Sequence, residues 1–317
     1  MKSRAKKISI TIGVVLALLI GTGVGLGMTY RHHRRVPEFA SIKMIQTANR
    51  LPQFLKKTWL LDPLRHYITH LMRSGMPIGV SDYLAENQRA DYLVVVIGDS
   101  VTANALVAKN RRWPDHLEKL IAYHMPGKRV RVVNAGIPGN NIVAVARRFA
   151  RDVGHLHPDL VIFSVGFNDA VIIADAEDHT ESLVPLPVFR DTWFKIAEGM
   201  KQHLHGKQMF WTPIPVAASH QPVIGPEYLD QQIAVIEQYR AVAKEASEKY
   251  GVPLADVYEQ WRAHPLADQA HLPDGIHPNA LGNLIIAKAI YDKWREIEGI
   301  PSAGNFIEVF QKATAQK

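Results

Sequence analysis

From residue 91 onward the chain alternates between two hydrophobic periods. Short, nearly continuous apolar runs read as strands: "YLVVVIG" (92–98), "RVRVVNAG" (129–136), "DLVIFSVG" (159–166), "QMFWTPIPV" (208–216) and "VPLADV" (252–257). Between them lie stretches with helical spacing: "WPDHLEKLIAYH", "NIVAVARRFARDVGHL", "FRDTWFKIAEGMKQHL" and "YLDQQIAVIEQYRAVAKEASEKY". Ile233, Ile236, Tyr239 and Ala243 recur at three- and four-residue intervals, which predicts one buried helix face. Pro114 stands at a first helical position, where its missing N–H costs nothing. A final helix is expected from about Ala280 to Ile297, with Leu284, Ala287, Tyr291 and Trp294 on one side, and the residues from 301 to 317 read as a tail. Strand–helix alternation of this kind predicts an α/β domain over 91–300, with a parallel sheet of about five strands covered on both faces.

Upstream of residue 91 the pattern changes. Residues 8–28, "ISITIGVVLALLIGTGVGLGM", carry no charge over 21 positions. As a helix they extend about 30 Å, the thickness of a bilayer core. Basic clusters bracket them, and the apolar run exceeds the core of a secretory signal peptide. The expectation is an uncleaved transmembrane signal anchor within residues 1–35, its short basic end in the cytoplasm and the body outside it. Residues 36–90 read as a connector, broken by Pro37, Pro52, Pro63 and Pro77 into short helical pieces. "ADAEDHTESL" (174–183) reads as an acidic, solvated loop.

Charge changes the picture once it is located. The net charge is +7, but seven of the 37 Lys and Arg residues fall within 1–35, leaving 30 against 30 Asp and Glu. The main body is neutral, so it has no basic surface for nucleic acid. There is no cysteine among the 317 residues, which excludes disulfides, thiolate metal sites and a cysteine nucleophile. The His155–His157 and His203–His205 pairs have the wrong spacing for one helix face and read as surface histidines, so no metal is expected, and "GIPGNN" is not the GxGxxG of a dinucleotide site.

The candidate chemistry sits where the strands end. The first ends at Gly98-Asp99-Ser100, the second at "NAGIPGN" (134–140) and the third at "GFND" (166–169); "DGIHPNALG" (274–282) precedes the last helix. In a parallel sheet all carboxyl ends face one way, so these four segments can converge on one cleft. The residue types suit acyl transfer. A serine hydroxyl needs a base to take its proton, and His277 can serve. Asp274, three residues away, can hold the imidazole in one tautomer. An oxyanion needs donors, for which the Ser100 N–H, a backbone N–H at Gly136 and the Asn168 side-chain amide are candidates. Asp99 and Asp169 read as structural.

In those four blocks the sequence resembles the SGNH, or GDSL-like, hydrolases: GDSV at 98–101, Gly136 in "NAGIPG", Asn168 in "GFND", and Asp274 with His277 in "DGIHPN". The resemblance covers roughly residues 91–297. It implies a three-layer α/β/α sandwich of flavodoxin-like type and cofactor-free serine ester hydrolysis. Val101 replaces the Leu of the name-giving motif, and Phe167 stands where Thr is common. The resulting expectation is a membrane-anchored serine esterase acting through an acyl-enzyme on small-molecule, glycan or lipid esters outside the cytoplasm. An O-acyltransferase of envelope glycans would use the same residues, and a non-catalytic anchored module would keep only the fold.

Overall fold

The computed structural model describes residues 90–174, 180–217, 228–302 and 304–315. The expected anchor at 8–28 lies outside them, as does the connector at 36–90 apart from its last residue. Among the described residues no helix is long and apolar enough to cross a membrane.

Five strands form one parallel sheet: β1 (Tyr92–Gly98), β2 (Val130–Gly136), β3 (Leu160–Phe163), β6 (Lys207–Trp211) and β7 (Leu254–Ala255), in the order β2-β1-β3-β6-β7. Taken along the sheet alone this is the 2-1-3-4-5 winding of flavodoxin-like folds. The shortest, β7, closes one edge. β6 stops earlier than its apolar run predicts. Thr212 still donates its N–H to Ala255 O at 3.2 Å, but Pro213 and Pro215 have no N–H with which to continue the ladder.

β1 shows why the strands read as unbroken apolar runs. Val94 and Val96 point to one face, Val95 and Ile97 to the other, and all four are wholly buried. One face packs on α3 (Ile142–Asp152), α4 (Leu186–His203) and α5 (Leu229–Tyr250), with Phe163, Phe189, Trp193 and Tyr239 at its centre. The other packs on α2 (Trp113–His124) and α7 (Ala280–Glu298), with Trp113, Trp211, Tyr291 and Trp294. Each such side chain contributes about 1.5–3 kcal/mol of burial. Helix ends follow local chemistry. Asn141 caps α3 by accepting the Ala144 N–H at 2.9 Å, and Asn279 caps α7 by accepting from Leu281 and Gly282.

Two segments differ from the sequence reading. The presumed tail contains a further helix, α8 (Phe306–Ala315), which buries Val309 and Ala313 against the α2/α7 layer; three turns of apolar spacing were too short to stand out. The acidic loop is flanked by a two-stranded antiparallel ribbon, β4 (Ile172–Ala174) with β5 (Thr180–Ser182). A short helix, α6 (Val257–Arg262), follows β7.

Candidate active site

The carboxyl ends of β1, β2 and β3 share one edge, with Gly98 opposite Gly136 and Ile97 opposite Phe163. Ser100 opens a four-residue helix, α1 (Ser100–Ala103), directly after β1. So short a helix does not hold itself. Asp99 accepts the Val101 N–H at 2.9 Å. Asn104, left-handed at φ 40°, donates its N–H to Ser100 O at 2.7 Å. From β2, Asn134 donates its amide to Thr102 O at 2.9 Å and Ala103 O at 3.3 Å. Among the described residues, neither the N–H nor the hydroxyl of Ser100 has a hydrogen-bond partner.

His277 and Asp274 meet on the loop before α7. Asp274 Oδ2 lies 2.7 Å from His277 Nδ1, while its Oδ1 accepts the Ile276 and His277 N–H groups at 2.9 Å each. Burial by itself would raise the Asp274 carboxyl; the His277 hydrogen bond, His277 charge and the two N–H groups outweigh it and hold it below its usual value. An ionised carboxylate only accepts, so Nδ1 carries a hydrogen, and in the neutral imidazole Nε2 keeps its lone pair. Nε2 has no partner among the described residues, and Ser100 is beyond hydrogen-bond reach of it; such contacts tighten on substrate binding. The loop is tied down by Leu272 N–H to His277 O at 2.7 Å and Ala217 N–H to Gly275 O at 2.9 Å.

The loop after β2 corrects one expectation. The Gly136 N–H is already donated, to Asn134 Oδ1 at 3.0 Å, and is not offered to an oxyanion. Gly136 is there for space: a Cβ would come within 2.3 Å of Ala103 N. Three residues on, Gly139 takes a φ of +78°, is exposed, and has no hydrogen-bond partner for its N–H among the described residues. Asn168 donates one amide hydrogen to Asn140 O at 3.0 Å, which orients the second.

Asp99 and Asp169 are both buried behind this edge. Burial pushes Asp99 up to about 6, against the Val101 N–H and the nearby His277 charge. Burial likewise pushes Asp169 up to about 7, opposed by the Ile142 N–H at 2.7 Å and aided by the Asp99 charge. Neither touches His277 Nδ1, consistent with a structural part for both. No group of three metal-ligating side chains occurs among the described residues, and His157, His203 and His205 are exposed.

Sequence reasoning did not single out Asn104, Asn134, Asn283 or Arg148. Their only signal is polarity at positions the fold buries or half-buries.

The GDSL-like Lipase/Acylhydrolase family matches residues 96–285. An acetylxylan esterase of Geobacillus stearothermophilus is 25% identical over 207 residues, covering 62% of this chain and 90% of that one. Structures of that esterase, including catalytic mutants in a serine and a histidine, superpose at TM-scores of 0.50–0.51. An α/β hydrolase from the metagenome of Lake Arreo, Spain, reaches a TM-score of 0.52 at 22% identity, covering 67% of this chain and 98% of that one. A lipase/acylhydrolase from Enterococcus faecalis reaches 0.51 at 22% identity, covering 68% and 99%. With a serine heading the sheet edge and a histidine–aspartate pair on the facing loop, the chain belongs to the GDSL-like lipase/acylhydrolase family, the SGNH group of serine esterases.

Proposed function

We propose that this chain hydrolyses short acyl esters through a Ser100 acyl-enzyme, and that residues 8–28 anchor it in a membrane with the esterase domain outside the cytoplasm. The observation that carries the chemistry is the Asp274–His277 hydrogen bond of 2.7 Å, which leaves His277 Nε2 as the free base. In this reading Nε2 takes the Ser100 proton as Oγ attacks the ester carbonyl. The Ser100 N–H, the Gly139 N–H and the Asn168 amide stabilise the oxyanion. The protonated His277 returns the proton to the leaving alkoxide, and water, activated by the same base, releases the acid. A short acyl group is supported by the small recess beside the site, bordered by Val101, Phe167, Pro213 and Ile214, and by the likeness to an acetylxylan esterase.

The test is Ser100→Ala. Hydrolysis of p-nitrophenyl acetate should fall to a residual rate, and labelling by a fluorophosphonate should vanish, with the melting curve retained. Full activity in the folded variant overturns the mechanism, and faster hydrolysis of an octanoyl than an acetyl ester overturns the acyl assignment. For the anchor, a reporter active only outside the cytoplasm, fused after Lys317, should be active. A cytoplasm-only reporter active there instead inverts the topology.

A further inference from the structure

Arg148 is one of two adjacent arginines on α3, and the two have opposite fates. Arg147 is exposed, whereas Arg148 is 6% exposed and points under the sheet edge. Four contacts use its guanidinium. Nη2 donates to Gly98 O at 2.7 Å, Nη1 to Ala135 O at 2.7 Å and to Asp152 Oδ2 at 2.8 Å, and Nε to Asn140 Oδ1 at 2.8 Å.

Three of the four acceptors lie on segments that carry a group the ester chemistry needs. Gly98 is two residues before Ser100. Ala135 and Asn140 are the two ends of the turn that carries Gly139. Asn140 also offers its backbone carbonyl to the Asn168 amide at 3.0 Å. The charge itself is matched by Asp152, which is 2% exposed and bound by Arg151 as well. With its charge balanced, the guanidinium contributes geometry. A planar fork reaches several acceptors in fixed directions, which the single ammonium of lysine does not.

We propose that Arg148 is a positioning residue of the oxyanion site, holding the turn after β1, both ends of the 135–140 loop and, through Asn140, the Asn168 amide in one register. The proposal rests on the serine-esterase reading above. It explains why a buried arginine lies beneath a loop in which, among the described residues, the Gly139 N–H is left open while those of Gly136, Ile137 and Asn140 are bonded. Donors aimed at a developing charge work only when they need not reorganise.

The experiment is a double-mutant cycle in the full-length protein in mild detergent. Rates of p-nitrophenyl acetate hydrolysis are divided by active sites counted with a fluorophosphonate. Arg148→Ala should lower kcat by about 10²-fold and change KM by less than about 3-fold. In an Asn168→Ala background the same change should cost less than about 5-fold, because the donor it positions is already gone. Arg148→Lys, which keeps the charge beside Asp152, should melt near the parent yet still lose at least about 10-fold in kcat. A purely structural arginine gives a different result: kcat per active site within about 3-fold of the parent, or an equal loss in both backgrounds. Either overturns the proposal. Should Arg148→Ala fail to fold, the Arg148→Lys cycle decides by the same criteria. An Asn168→Ala variant with unchanged kcat refutes instead the oxyanion role of Asn168, and with it the reading on which this proposal stands.

Discussion

Asn283 offers the sharpest test of how the site is held together. It lies on the first turn of α7 and is wholly buried. Its Oδ1 accepts from Asn104 Nδ2 at 2.7 Å and the Trp113 N–H at 2.8 Å. Its Nδ2 donates to Pro278 O at 3.2 Å and Asn279 O at 2.7 Å. One amide therefore joins the end of α1, the start of α2 and the carbonyl next to His277. Asn283→Ala removes all four bonds. Asn279 O keeps the Asn283 backbone N–H at 2.9 Å, and Pro278 O keeps a long contact from Asn104 at 3.5 Å. The Trp113 N–H is left bare and the Asn104 amide nearly so. Two buried orphan donors at about 1–3 kcal/mol each give a central loss of about 4 kcal/mol. For a domain of this size that lowers Tm by about 8–16 °C. Calorimetric melts at pH 7 measure it directly. Fluorophosphonate labelling of Ser100, run at 20 °C where both proteins are folded, should also slow, since the helix bearing the serine loses its tie to the histidine loop. A Tm within about 3 °C of the parent refutes the reasoning.

Further expectations concern the triad, the buried carboxyls and the turn glycine. Asp274→Asn should lower kcat by about 10⁴-fold with little change in KM, because an amide hydrogen facing Nδ1 favours the wrong tautomer; a loss below about 10-fold in steady-state assays contradicts the assigned orientation. Asp169 ionises near pH 4 when unfolded but is pushed up to about 7 when folded, so its native form loses stability as pH rises between those values and stays penalised above them. Asp169→Asn should therefore gain stability relative to the parent between pH 4.5 and 8 in urea titrations, by up to about 4 kcal/mol; a gap that is flat with pH contradicts the assignment. Gly136→Ala drives a Cβ into the α1 backbone at Ala103 and should cost about 1–3 kcal/mol together with activity, read from melts and hydrolysis rates; a neutral result there contradicts the close approach.

Part of this molecule could be read from the chain alone. β1 at 92–98 and α2 at 113–124 have the bounds their patterns predict, because a strand buried on both faces must be continuously apolar and Pro114 marks a helix start. Ser100 after a buried strand and the Asp274–His277 spacing pointed to the chemistry for a local reason: three residues suffice to turn a carboxylate onto Nδ1. Other features depended on partners distant in sequence. The sequence reading singles out Gly136 in "NAGIPGN" and passes over Gly139; nothing local separates the two, and only the tertiary structure shows Asn134 claiming the Gly136 N–H and the backbone of α1 crowding against that glycine. Arg147 and Arg148 are indistinguishable as letters. Only the packing of α3 under the sheet edge puts one in solvent and the other among the carbonyls of Gly98 and Ala135. Local pattern determines which segments form strands and helices, since each residue carries its own backbone preference and polarity. Which N–H stays open and which charge is buried depends on contacts such as Asn104 with Asn283, 179 residues apart, and those exist only once the layers have packed.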